Sequence, residues 1–271
     1  MSVELGVLLG QTGGAQSFDN VGSWSVATQQ CSFALQATDV HSSAGGARLH
    51  VFSGATGALG YDYLTPDDAL ARWSGSAAAH RIVAQGWARL DSAAWSGQVT
   101  VSIGSASLGL PAGAGLIPYR LETVVASGDP LRLEFRPGAG LQGSGALYVD
   151  DVLVTADAVT LTPDWALIQR RTLVVARHGT LGGREGVLVW GERSRHAVPV
   201  RYVPSSLTDR LRTWWRGGAP LLFTLDTANA EAQWPVRIGG GTAPLAGPSR
   251  PYWNAWEGTL LLEGLCGGLD F

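Results

Sequence analysis

"LTDRLRTWWRGGAPLLFTLDT", Leu207 to Thr227, is the one stretch with a convincing helical pattern in a chain that otherwise reads as strands and turns. Ser206 is placed to cap the helix, and Asp209 follows where a carboxylate can reach back to the cap. At 100° per residue, Leu207, Leu211, Trp214 and Trp215 fall within an arc of roughly 100°. Asp209, Arg210, Arg212, Thr213 and Arg216 take the other side, and Gly217 is expected to end the helix. About three turns are too few to hold alone in water. The Leu and Trp side must therefore be pinned to β-structure, with the strand from Pro220 to Leu225 as the nearest surface. One short helix bracing a β-domain is the unit that the rest of the sequence has to accommodate.

Composition agrees with that reading. Of 271 residues, 45% are hydrophobic and only 15% charged, with 37 Gly and 13 Pro, which suits a turn-rich β-protein. The net charge of −3 gives no basic field to attract nucleic acid or an anionic membrane. All 19 basic residues are Arg, and the missing lysine excludes Walker-type phosphate loops, Schiff-base chemistry and Ser–Lys catalysis. Cys31 and Cys266 sit near opposite ends, read as two thiols rather than a bridge, and no metal-ligand spacing is present. "MSVELGVLLGQTGG" lacks the basic start and long apolar run of a secretory leader, and no stretch reaches the length of a membrane span. The expectation is a soluble protein synthesised in a cytoplasm.

The chain has two textures. Up to about residue 157 it is Ala/Gly/Ser-rich, and "CSFALQA", "ARLHVFSG", "HRIVAQGWARL", "QVTVSIG", "YRLETVVAS", "LRLEFRP" and "ALYVDDVLV" each read as a strand. That many strands without a helix predict a β-sandwich; "LTPDDALARWSG" allows one helical turn. From residue 158 to 271 the strands lengthen and most of the arginines appear. "RRTLVVARHG" and "EGVLVWGER" flank a Gly-rich turn, "RHAVPVRYV" leads into the helix, and "APLLFTLD", "QWPVRIG" and "EGTLLLEGL" follow. The expected fold is all-β in two domains, 1–157 and 158–271, with the second ordered β-β-β-α-β-β-β.

Few motifs point to chemistry. "GAGLQG" at Gly138–Gly143 matches a dinucleotide fingerprint but precedes a strand, where no helix N-terminus could hold a pyrophosphate. No G-x-S-x-G or H-E-x-x-H occurs, the five histidines are scattered, and no carboxylate pair stands out, so the expectation is a protein without catalytic activity. His50 and His196 alternate with apolar residues and are read as solvent-facing or hydrogen-bonded. In "YVDDV", Asp150 and Asp151 on a strand point to opposite faces; an inward acid near backbone carbonyls could ligate Ca²⁺, and two edge charges that discourage pairing are the alternative. The chain has 11 Trp. Trp24, Trp73, Trp87 and Trp95, with Tyr61 and Tyr63, are either core fillers or platforms on which the C–H faces of sugar rings stack. Trp73, Trp87, Tyr61 and Tyr63 are the candidate glycan contacts. Trp214 and Trp215 belong to the helix seam with Leu207 and Leu211, and Trp253 and Trp256 are placed to cover the end of the last strand.

Two resemblances arise from these residues. "SFDNVGSWS" (Ser17–Ser25), "SAGGARLHVFSG" and "LYVDDVLV" make the first half similar to a jelly-roll carbohydrate-binding module. That resemblance implies a structural calcium held by Asp19, which replaces the usual Glu, and by Asp150, with Asp151 as the other choice; no further cofactor is implied. The strand–helix–"WWRGGAPLLFTLDT" run from Arg201 to Thr227, with "WPVRI" and "RPYWNAWEGTLLLEGL", resembles distal-tail or baseplate proteins of long-tailed bacteriophages built on the tail-tube fold. It implies a virion component whose copies join in a ring, sixfold as in tube-like proteins, against other tail-tube, tail-tip or hub proteins. DNA would pass through the lumen without specific binding, and the jelly roll would face outward towards host-surface glycans. A glycan-binding module protein with no virion role is the competing reading.

Overall fold

The structure, a computed structural model, describes residues 2–9, 24–28, 31–36, 46–51, 57–63, 70, 77–91, 99–111, 115–137, 145–163, 168–179, 185–228, 232–245, 247–248 and 255–265. The chain is all-β, with strands β1 (Val3–Leu9), β2 (Trp24–Thr28), β3 (Cys31–Gln36), β4 (Gly46–Val51), β5 (Gly57–Tyr63) and β6 (Ala79–Leu90). There follow β7 (Val99–Ile103), β8 (Ala106–Leu110), β9 (Ile117–Ala126), β10 (Leu131–Pro137), β11 (Gly145–Leu161), β12 (Ile168–Gly179) and β13 (Glu185–Pro204). Helix α1 (Ser205–Gly217) precedes β14 (Leu221–Thr224), β15 (Gln233–Ile238), β16 (Gly247–Pro248) and β17 (Ala255–Gly264). Of the expected turn in "LTPDDALARWSG" only Leu70 is described, and it is helical and buried.

These strands make a 12-stranded sheet and a 5-stranded sheet, the latter ordered β2-β5-β10-β7-β8. Alternation places Val99, Val101, Ile103, Leu131, Leu133 and Phe135 of the small sheet in one core with Ala88, Leu90, Leu121, Leu147 and Val149 of the large one. The Tyr119 ring meets Phe135 edge-on at 5.6 Å, tying the two layers together. This is the sandwich that the alternating segments predict.

The large sheet is organised by β11, 17 residues long. One edge of β11 carries β4 over Gly145–Val149 and then β1 from Val154 onward, so the sheet forks there. The other edge carries β6 across both stretches. β11 accommodates the fork with two bulges. One lies between Asp150 and Leu153 against β6, and Asp151 takes a left-handed φ of 47° within it. The second lies opposite Leu5–Val7, and Asp157 there has φ 53°. Asp tolerates this conformation better than the surrounding β-branched residues do. The acids of "YVDDVLVTAD" therefore mark the bulges, and the simple alternation expected of Asp150 and Asp151 does not hold. β11 also runs through the expected junction at 157/158.

β1, read from the sequence only as an absent leader, is a central strand between β11 and β14. The sheet continues from β14 through β15, β17, β13 and β12. "EGVLVWGER" and "RHAVPVRYV" are one strand, β13, of 20 residues, so the second half is β-β-α-β-β-β-β with the two-residue β16 included.

The helix departs from its expected caps. Pro204 occupies the N-cap with no side-chain hydrogen bond, and Ser206 and Asp209 both lie inside the helix. Gly218 rather than Gly217 is the left-handed residue, at φ 62°, and the amides of Gly218 and Ala219 return to the carbonyls of Trp215 and Trp214 at 3.2 and 2.9 Å. Leu211, Trp214 and Thr208 are buried, and Leu207 and Trp215 are half-buried against the core. The seam packs on β13, β15 and β17 more than on the expected neighbour β14. Arg212, assigned by periodicity to the solvent side, folds back instead. Its guanidinium lies 4.2 Å from the Trp256 ring and donates to the Leu245 carbonyl at 2.8 Å.

Candidate ligand-contacting face

The side of β4, β11 and β6 turned away from the sandwich core carries a row of planar and charged groups. On β11, Tyr148 stands directly opposite Arg48 of β4 and Arg89 of β6. Opposed residues of antiparallel strands share a face, and both guanidiniums lie over the Tyr148 ring, at 5.8 and 4.4 Å. Two residues along, Asp150 pairs with Trp87. Arg48 is exposed, Arg89, Trp87 and Asp91 are half-buried, and Tyr148 and Asp150 are buried. The neighbouring parity (Leu147, Val149, Ala88, Leu90) fills the core, so the same alternation that builds the sandwich puts this row outside it.

The row ends at the first bulge. The Asp150 carboxylate accepts the Asp151 amide at 2.8 Å, which closes the turn of the bulge on itself. Gly86 of β6 is required opposite it: a Cβ there would lie 2.8 Å from the Tyr119 hydroxyl and 3.0 and 3.1 Å from the carbonyls of Asp151 and Asp150. The Tyr119 hydroxyl has no hydrogen-bond partner among the described atoms, and burial pushes its pKa far upward, so it stays protonated.

The predicted site residues are dispersed. Trp87 lies in the row. Tyr61 and Tyr63 lie on β5 of the small sheet, opposite the core residues Leu133 and Leu131, and so are not in one sheet with Trp87. Trp73 and Asp19 lie outside the described residues. Calcium takes about six to eight oxygen ligands; Asp150 and Asp151 alone are too few, and no group of three or more His, Cys, Asp or Glu stands together among the described residues. Arg48, Arg89 and Tyr148 were not singled out by the sequence. Their parity opposite to Leu49, Leu90 and Leu147 marks them as a face, but only the register shows that they meet.

One histidine contradicts its sequence reading. His196 on β13 is buried, not solvent-facing, and both ring nitrogens lack partners among the described atoms. Its ring sits 5.1 Å from Phe223 and 4.9 Å from Trp234, and burial lowers its pKa to about 4. It is a neutral aromatic core residue.

No protein-family model matches the chain. No curated protein matches it. Among solved structures it is similar to the enzymatically active domain of tailspike protein 4 of bacteriophage CBA120, at TM-score 0.39 and 13% identity over 55% of this chain and 21% of that one. It is similar to the CBM22-1 xylan-binding domain of Paenibacillus barcinonensis Xyn10C, at TM-score 0.37 and 10% identity over 56% of this chain and 95% of that one. It is also similar to the family 11 carbohydrate-binding module of Clostridium thermocellum, at TM-score 0.33 and 10% identity over 56% of this chain and 95% of that one. The matched part therefore spans about a fifth of the tailspike chain. Likeness at this level carries neither a family nor an activity across to this protein.

Proposed function

We propose that the first half is a glycan-contacting lobe mounted on a structural framework without catalytic activity. The observation that supports it is the row Arg48–Tyr148–Arg89 with Trp87 two residues along β6. Aromatic and guanidinium planes meet the apolar faces of sugar rings, and guanidinium and carboxylate groups meet their hydroxyls. A glycan array probed with the intact chain, followed by calorimetric titration of the hits, tests it. Trp87→Ala is expected to weaken binding at least tenfold with the fold intact. An array without hits would overturn the reading, as would hits that Trp87→Ala and Arg48→Ala both leave unchanged.

The framework half favours a second, compatible reading as a phage tail-tip or baseplate component. Residues 172–179 and 185–193 of the β12–β13 hairpin pair only with each other among the described strands, because β17 joins β13 from Arg195 onward. A two-stranded ribbon is marginal in water by itself. The sequences "TLVVARHG" and "EGVLVWGER" carry apolar residues at both parities, as a ribbon covered by other subunits requires. Copies would join through these ribbons into a ring, sixfold by resemblance, on the tail axis beside tube and hub proteins, with DNA passing through. Light scattering and electron microscopy of the purified chain test this: rings or incorporation into virions are expected. A monomer under every condition, absent from particles, would overturn it.

A further inference from the structure

Gln85 on β6 donates a 2.9 Å hydrogen bond to Gln233 on β15, and both side chains are buried. In the sheet these strands are separated by β11, β1 and β14. Four strand spacings in a flat sheet come to roughly 19 Å, more than two glutamine side chains can bridge. The sheet must therefore curl until its two flanks meet over the strands between them. The floor of the trough is a separate apolar cluster, one leucine from each intervening strand: Leu153, Leu8 and Leu222.

The same flanks are joined by a chain of charges. Arg120 on β9 donates to Gln85 at 2.8 Å and to Glu4 on β1 at 2.5 Å. Arg81 on β6 reaches the other Glu4 oxygen at 3.3 Å and the Ala158 carbonyl at 3.1 Å, and grips Glu122 with two hydrogen bonds of 2.5 and 2.7 Å. The Glu4 side chain is only 12% exposed, so its pairs are shielded from the screening that makes surface pairs weak. The Arg81 hydrogen bond and charge hold the Glu122 carboxyl below its usual range. Two arginines and two glutamates balance, and the glutamines continue the chain to β15.

These bridges connect strands of the sandwich, β6 and β9, with strands on the framework side, β1 and β15. We infer that the Glu122–Arg81–Glu4–Arg120–Gln85–Gln233 chain is a clamp that makes both halves one cooperative, fixed-orientation body. The opposite face of this sheet is already joined by one apolar core that Ile82, Ala84, Val154 and Ala156 share with Leu5, Val7, Leu221 and Phe223. The clamp fixes the concave face, where only the three leucines would otherwise stand between the flanks. With the clamp, a force or ligand acting on the sandwich is transmitted to the framework. The inference does not depend on what the sandwich binds.

Scanning calorimetry of the intact chain tests this. The wild type is expected to melt in one transition whose calorimetric and van't Hoff enthalpies agree. The double variant Glu4→Gln with Gln233→Leu is expected to split the melt into two transitions at least 5 °C apart. Arg136→Gln, which removes an exposed pair with Glu134 inside the small sheet, is expected to leave the single melt unchanged. Should the double variant not fold, Glu4→Gln alone is read by hydrogen exchange: protection of β14 and β15 amides falls at least tenfold while that of β7 and β10 holds. A two-step melt of the wild type, a one-step melt of the double variant, or a uniform change in exchange would each overturn the clamp.

Discussion

The rings of His196 and Trp234 lie 4.9 Å apart, tilted by 46°, on strands that the chain order separates by a helix and β14. This contact places an ionisable group where only its neutral form is tolerated. The folded pKa is lowered from 6.5 to about 4, so between those values the unfolded chain binds a proton that the folded chain refuses. The stabilisation is complete above pH 6.5 and is lost as pH falls towards 4, by up to roughly 3 kcal/mol. Denaturant titrations from pH 7.5 to 4.5 are expected to show that loss, and His196→Phe is expected to flatten the profile there. An unchanged slope in the variant would remove His196 as its source.

Gly86→Ala is expected to cost about 2–4 kcal/mol, because two of the three atoms that the new methyl meets are carbonyls of the bulge and cannot swing aside. Tyr119→Phe removes a buried hydroxyl with no partner among the described atoms and is expected to be neutral or stabilising by about 1 kcal/mol. Combining them is expected to leave most of the glycine penalty in place, since the carbonyls remain. Chemical denaturation of the three variants decides it; full rescue would shift the blame from the backbone to the hydroxyl.

Helix α1 separates packing from capping. Leu211→Ala is expected to cost about 2–5 kcal/mol as a cavity in a fully enclosed site. Asp209→Ala is expected to stay within about 0.5 kcal/mol, since Asp209 is exposed and the N-cap has no side-chain hydrogen bond. A loss near 1 kcal/mol in the second variant would reinstate the capping role inferred from the sequence.

Gly218→Ala gives a measure of backbone conformation alone. The added Cβ meets nothing within 4 Å, but the residue stands at φ 62°. About 1 kcal/mol of destabilisation is expected, with Gly218→Asn losing less. Thermal melts of the two variants check the order; equal losses would point to an unseen steric contact.

Periodicity made much of this fold legible and register made the rest invisible. Strands β6, β9 and β11 are apolar runs long enough to be read as strands, though only β9 alternates cleanly, and the apolar edge of α1 through Leu211 and Trp214 packs as spacing requires. β1 escaped because "VELGVLL" is apolar except for Glu4, as a strand paired on both sides can be; that pattern also suits a leader fragment. The fork in β11 could not be read, because "VDDV" is compatible with an edge, a metal site or a bulge. Only the long-range partners, β4 on one side of Asp150 and β1 on the other, choose among them. The row of Arg48, Tyr148 and Arg89 was out of reach for the same reason: three residues far apart in sequence meet by register alone. Trp87 was reachable because an aromatic on a strand draws attention on its own.

The position of β1 has a consequence for biosynthesis. Its partners are Val154–Leu161 and Leu221–Thr224, so β1 has no second edge until β14, far along the chain, has been made. During that interval the largely apolar strand Val3–Leu9 waits with the amides of one edge unsatisfied. Nascent chains halted before Leu221 should accordingly be captured by chaperones through β1, and release should coincide with the emergence of β14.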